Sequence, residues 1–332
     1  PVLTRRAFAR GMGVAVAAAS LAGCSASNAA PPSSALSFAP LKQIDAGGLT
    51  IGYAEDGPQD GPPVILLHGW PYDIHSYIEV APRLAAQGFR VLVPYLRGYG
   101  TTRFRADGAI RNGQQAAFAH DVVAFMDALG VGRAVLAGFD WGARTADIVA
   151  AAWPQRCKAL VSVSGYLIVN LIANQRPLTP EAEHGWWYQY YFATDRGEAG
   201  YRANTREFNE LIWREASPTW DFDDATYERS AAAFDNPDHV DIVIHNYRWR
   251  LGLAAGEPRY AELERQLAAT PLISVPTITI GSDFDGPNKH GASYRGMFTG
   301  AYSHRVFDGI GHNVPQEAPQ AFADAVIAVD RY

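Results

Sequence analysis

The chain has 332 residues, 48% of them hydrophobic, with Lys+Arg 28 against Asp+Glu 34 and a formal net charge of -6. That suffices for one large core with an insertion, and without a basic block in the mature region the balance argues against nucleic acid as a partner. The two cysteines, Cys24 and Cys157, stand in no zinc-like spacing and indicate no disulfide framework.

Thr4-Arg5-Arg6-Ala7-Phe8 precedes an apolar stretch over 13–22, too short to span a bilayer as a helix and of signal-peptide character. The paired arginines before Phe8 resemble a twin-arginine export signal. Leu21-Ala22-Gly23-Cys24 resembles a lipobox, in which Cys24 becomes the lipidated N-terminus; ordinary cleavage near Ala26 or Ala29 is the alternative. The expectation is therefore a signal over 1–24, a flexible Ala/Ser/Pro-rich linker over 25–44 and a folded domain over 45–332. Export by this route implies a periplasmic or cell-surface location, with membrane contact only through a lipid at Cys24.

Apolar runs over 49–54, 64–68 and 90–94 read as strands, with helical character over 74–87 between the last two. The segment 114–129 is amphipathic, with Val122, Phe125, Met126 and Leu129 on one face. Strands over 133–137 and 159–164 flank an alanine-rich helix over 144–153. Strand and helix alternating at short intervals give an α/β fold, a mostly parallel sheet covered on both faces. Right-handed crossovers place the loops after the strand ends along one edge. The alternation stops at Gly165; 167–270 is helical and aromatic-rich, and five of the eight tryptophans fall between Trp186 and Trp249. Strands over 276–281 and 304–307 and a helix over 315–329 close the chain. The insertion reads as a helical cap over the strand ends.

Gly138-Phe139-Asp140-Trp141-Gly142-Ala143 stands between a strand and a helix. Small residues around a central polar one are the layout of a nucleophile elbow, with Asp140 in place of the usual Ser. A tight turn with Asp140 as an Asx-type helix cap is the alternative. The bonds decide what an aspartate nucleophile is for. A serine attacking a saturated carbon leaves a stable ether, whereas an aspartate leaves an ester whose carbonyl water can attack. Asp140 thus points to hydrolysis at an sp³ carbon, an epoxide or an alkyl halide.

His68-Gly69-Trp70-Pro71 follows a strand on the same edge, so the backbone N–H groups of Trp70 and Trp141 are the expected oxyanion hole. The His68 side chain reads as a hydrogen-bonded structural residue. Among nine histidines, His312 in Gly309-Ile310-Gly311-His312-Asn313 has the best framing for a catalytic base. His75, His120, His184, His239, His245, His290 and His304 lack it. The acid that orients His312 lies in Gly281-Ser282-Asp283-Phe284-Asp285-Gly286. Asp285, deeper in the loop, is preferred over Asp283 at the strand end. The leaving group needs a donor. An alkoxide suits a phenol and a halide suits an indole; the cap run Trp186-Trp187-Tyr188-Gln189-Tyr190-Tyr191-Phe192 and Asn246-Tyr247-Arg248-Trp249 offer both kinds, and Trp141 a further indole.

These motifs resemble the α/β-hydrolase superfamily and, within it, the epoxide hydrolase-like group. The resemblance spans His68 to Pro71, Gly138 to Gly142, the cap, Asp285-Gly286 and Gly311-His312. It implies that Tyr188 and Tyr247 are the ring-opening acids, that the substrate is a small apolar epoxide or related molecule, and that no metal or organic cofactor is needed. Haloalkane dehalogenases share Gly-x-Asp-Trp-Gly and are the alternative, although Trp70 stands where they commonly carry Asn. A surface-tethered binding protein on the same fold is a third reading, opposed by retention of the triad and both tyrosines. Ala143 and Ser282 depart from the glycines frequent at those places.

Overall fold

The computed structural model describes residues 37–332 apart from Ala39. The expected signal, Cys24 and most of the expected linker lie outside the described residues. Nine strands form one sheet: β1 Lys42–Ala46, β2 Leu49–Asp56, β3 Pro63–Leu67, β4 Arg90–Pro94, β5 Arg103–Phe104, β6 Ala134–Gly138, β7 Cys157–Val163, β8 Thr277–Ser282 and β9 Tyr302–Phe307. Their spatial order is β1-β2-β4-β3-β6-β7-β8-β9, with β5 paired to β2. β1, β2 and β5 are antiparallel additions at one end, and from β4 to β9 all pairings are parallel.

The central strands are apolar along their whole length because helices cover both faces. Val64, Ile65, Leu66 and Leu67 of β3 are fully buried, as are Leu136 and Ala137 of β6. The helices Gln115–Ala128 and Trp141–Ala152 pack together, and Val80–Ala85 packs on Pro319–Val329. Between β3 and β6 the chain reverses its direction of travel across the sheet, which opens a crevice at the carboxyl ends of these strands.

Two expectations need correction. β1 begins at Lys42, inside the segment read as linker; its Lys-Gln-Ile-Asp-Ala sequence alternates exposed and half-buried residues, as an edge strand does. The helix expected over 74–87 is a 3-10 turn, Ile74–Tyr77, followed by a short helix, Val80–Ala85. Pro82 has no N–H to return to the preceding turn, so a continuous helix cannot form there.

Between β7 and β8 the described residues hold seven α-helices: Pro180–Gly185, Trp187–Phe192, Asp195–Ala203, Thr205–Ala216, Asp224–Ala231, His239–Arg250 and Ala261–Ala268. The exit into this cap is pinned at Leu167. Arg144 Nε donates to the Leu167 carbonyl at 3.0 Å, and the Leu167 N–H donates to Asp147 at 2.8 Å. Two residues on, Gln115 clamps both the N–H and the C=O of Val169. Glu264, from the last cap helix, accepts the Ala116 N–H at 3.0 Å, supplying the acidic cap that Gln114 does not give that helix. Cap and core are thus joined by buried polar contacts.

Candidate active site

Asp140 stands at the end of β6 with φ 52° and ψ -124°, a conformation that costs a non-glycine residue about 1–3 kcal/mol. Close approach of the backbone enforces it. A Cβ on Gly142 would lie 1.9 Å from the Leu67 carbonyl oxygen, and one on Gly138 2.5 Å from the Gly142 carbonyl carbon. The Asx-cap alternative is not realised, because the Asp140 side chain makes no capping bond to its helix. Its Oδ1 instead accepts the Trp70 N–H at 2.7 Å. Gly69 makes that contact possible, since a Cβ there would fall 2.4 Å from Asp140 Cβ. The Trp141 N–H, first in its helix, belongs to the donors that a helix N-terminus leaves without an intrahelical acceptor.

His312 lies on the loop after β9, its Nε2 3.8 Å from Asp140 Oδ2. That is beyond hydrogen-bond reach, so the imidazole does not tie up the carboxylate. The edge of Phe284 packs on the ring at 4.2 Å between centroids. Burial pushes the imidazole below its ordinary pKa, against the opposing charges of Asp140, Asp285 and Glu317. Its Nδ1 lies 3.2 Å from the Tyr72 hydroxyl.

The expected partner of this ring, Asp285, makes no hydrogen bond to it among the described residues. The Asp285 carboxylate accepts the Ser282 N–H at 2.9 Å. It is coupled to His312 through charge, while burial, the larger effect, raises its own pKa. Asp283 is at the surface, held by Lys289 at 2.9 Å and by the Gly309 N–H at 2.8 Å, and is not the relay acid. His68 is structural as expected: Nδ1 faces the Gly69 carbonyl, Nε2 accepts the Leu96 N–H, and burial brings its pKa down to about 4.

A cavity of about 580 Å³ opens above Asp140, lined by His312, Trp70, Phe284, Tyr188, Trp186 and Ile212 among others. Its size and apolar walls suit a small organic ligand. His184, given no special role from the sequence, also lines it. The Trp70 ring lies 5.0 Å from that of Tyr188 and 5.1 Å from that of Tyr247. The two phenol rings pack edge to face, 5.4 Å between centroids. Both are pushed up in pKa, first by burial and further by the Asp140 charge. They hold their protons at neutral pH. Trp141 Nε1 is buried with no hydrogen-bond partner among the described residues, whereas Trp70 Nε1 is engaged with the Tyr201 hydroxyl at 3.0 Å.

Sequence reasoning did not single out Tyr72, Ser217 or Glu317. Ser217 Oγ lies 2.6 Å from Glu317, and Glu317 accepts the N–H groups of Gly311 and Asn313 on either side of His312. The signal for Glu317 was present, an acid in the first turn after a glycine-framed histidine. Tyr72 and Ser217 carry none, because only the tertiary fold brings them to the ring.

The family model for the alpha/beta hydrolase fold matches residues 62–315. A solved structure of a proposed epoxide hydrolase from Klebsiella pneumoniae is 61% identical, with a TM-score of 0.87 over 89% of this chain and 98% of that one. Epoxide hydrolase B of Mycobacterium tuberculosis is 34% identical over 169 residues, 46% of this chain and 47% of that protein, so the chain spans about half the length of this relative. Haloalkane dehalogenase of Mycobacterium marinum is 29% identical over 221 residues, 64% of this chain and 71% of that protein. With an elbow at the end of β6, a histidine after β9 and a helical cap between β7 and β8, the chain belongs to the α/β-hydrolase fold family and is epoxide hydrolase-like.

Proposed function

We propose that the protein hydrolyses a small apolar epoxide to a vicinal diol through a covalent ester on Asp140. The observation that carries this reading is an elbow carboxylate sharing its surroundings with two buried, protonated phenols. Asp140 Oδ2 attacks the less hindered ring carbon as the carbon–oxygen bond of the epoxide breaks, and the departing alkoxide takes a proton from Tyr188 or Tyr247. Water then adds to the ester carbonyl carbon and gives a proton to His312 Nε2. The oxyanion forms on Oδ1, where the Trp70 N–H already sits at 2.7 Å, and the Trp141 N–H is the second donor. Collapse expels the diol oxygen, which recovers the proton from His312, and the acid proton left on Asp140 returns to the tyrosinate. Alkylation also removes the Asp140 charge that raises the imidazole pKa, so His312 stays neutral when its basicity is required.

Haloalkane dehalogenation by the same nucleophile is the second reading. The buried, unpartnered Trp141 Nε1 favours it, because a halide needs an N–H donor and not a proton. A panel of terminal epoxides and matched bromo- and chloroalkanes separates the two. Diol formation that falls ~10-fold or more in Tyr188→Phe and Tyr247→Phe, and vanishes in Asp140→Asn, is the expected result. Halide release indifferent to both tyrosines would favour the dehalogenase. No turnover on any member overturns both and leaves a ligand-binding role.

A further inference from the structure

Trp70 lines the cavity, donates its backbone N–H to Asp140 and packs its ring on both phenols. Its indole N–H is committed elsewhere. Nε1 lies 3.0 Å from the hydroxyl of Tyr201, on the cap helix Asp195–Ala203. That hydroxyl lies 3.0 Å from His239 Nε2, at the start of the helix His239–Arg250, and 3.0 Å from Asn209 Oδ1, on the helix Thr205–Ala216. His239 Nδ1 in turn lies 3.0 Å from the Gly98 carbonyl oxygen, in the loop after β4. Tyr201, Asn209 and His239 are fully buried.

The protons in this cluster can be assigned from the groups themselves. A carbonyl oxygen only accepts, so His239 Nδ1 carries a hydrogen. Burial brings the pKa of that imidazole down to about 4, so at neutral pH its Nε2 is an acceptor. The single Tyr201 proton serves the acceptors His239 and Asn209. A phenol lone pair is then left for the Trp70 indole, which can only donate. Three cap helices and the loop after β4 thus hold one acceptor in place for one cavity-wall indole.

The choice of leaving group depends on where that N–H goes. A halide departs from a saturated carbon as an anion, and a buried anion is costly unless donors face it. Trp141 Nε1, without a partner among the described residues, offers one. Trp70, bonded to Asp140 through its backbone, carries a second indole, and its N–H is spent on Tyr201. An epoxide oxygen makes no such demand, because it takes a proton from a phenol. We infer that Tyr201, backed by His239, is a specificity-determining residue that withholds the Trp70 indole from the leaving group and so favours epoxide opening over halide displacement. The selectivity rests on the proposed reaction; the bond to Trp70 does not.

The test uses the full chain labelled with ¹⁵N-tryptophan, the indole signals of Trp70 and Trp141 being identified by their loss in Trp70→Phe and Trp141→Phe. Titration of the wild type with sodium bromide should leave the Trp70 indole signal where it is. In Tyr201→Phe that signal should shift before any bromide is added, and bromide should then move it further. The ratio of halide release from bromoalkanes to diol formation from epoxides should rise on the order of 10-fold, the worth of one hydrogen bond to a charged group. A cap merely loosened by the change would lower both activities and leave their ratio unaltered. Bromide moving the Trp70 signal in the wild type overturns the inference, as does an unaltered ratio in Tyr201→Phe. Should Tyr201→Phe not fold, the wild-type titration decides alone. If the wild type turns over no epoxide and no haloalkane, the proposed reaction fails, and the bromide titration still decides whether Tyr201 withholds the indole.

Discussion

Asp140 and His312 face each other across a gap too long for a hydrogen bond, and their charges set the pH range in which they can work. In the proposed reaction His312 must be neutral to accept a proton. Burial lowers its pKa below the ordinary 6.5, against Asp140, Asp285 and Glu317, so its neutral range extends downward. kcat/KM should stay level as pH falls through 6.5 and decline only below it. In the same reaction Tyr188 and Tyr247 must be protonated to donate. Their pKa values are raised, so the alkaline decline should begin only above pH 10. A pH–rate profile with an acid limb at or above 6.5, or an alkaline limb near 8, would contradict these assignments.

The elbow is where local sequence and tertiary packing agree most closely. Gly69→Ala puts a methyl group 2.5 Å from Asp140 Oδ1 and should abolish turnover through the nucleophile while the sheet survives. Gly142→Ala instead pushes against the β3 backbone, 1.9 Å from the Leu67 oxygen, and should lower stability by about 3 kcal/mol in thermal or denaturant unfolding. Equal loss of stability in the two variants would contradict the division between site and scaffold. The elbow was legible in the sequence because its chemistry and its sterics both demand particular residue types at fixed spacing. His312 was legible from its glycines. The partner of its ring was not, since Tyr72 and Ser217 lie 240 and 95 positions away in the chain and carry no local signature. The buried strands β3, β4, β6, β7 and β8 announced themselves by apolar runs, whereas β1 and β5, half-exposed and short, did not.

At the scale of the whole molecule, the proposed reaction takes its nucleophile and base from loops of the sheet and its acids and cavity walls from the cap, so neither part would hold a complete site. Leu167, Val169 and Glu264 tie the two together through buried hydrogen bonds, which keeps the phenols in register with Asp140. We propose in addition that the chain is exported and tethered by a lipid on Cys24, placing the cavity where it meets exogenous epoxides. Metabolic labelling with radioactive palmitate should mark the wild type and not Cys24→Ser; equal labelling of both would contradict the anchor. The covalent ester on Asp140 is the step on which the remaining chemistry depends. A single turnover in ¹⁸O-water, followed by mass spectrometry of the peptide containing Asp140, examines it directly. Label in the Asp140 carboxylate, with unlabelled diol from the first turnover, is the predicted result. Labelled diol beside an unlabelled Asp140 would contradict it, because water would then have attacked the substrate itself.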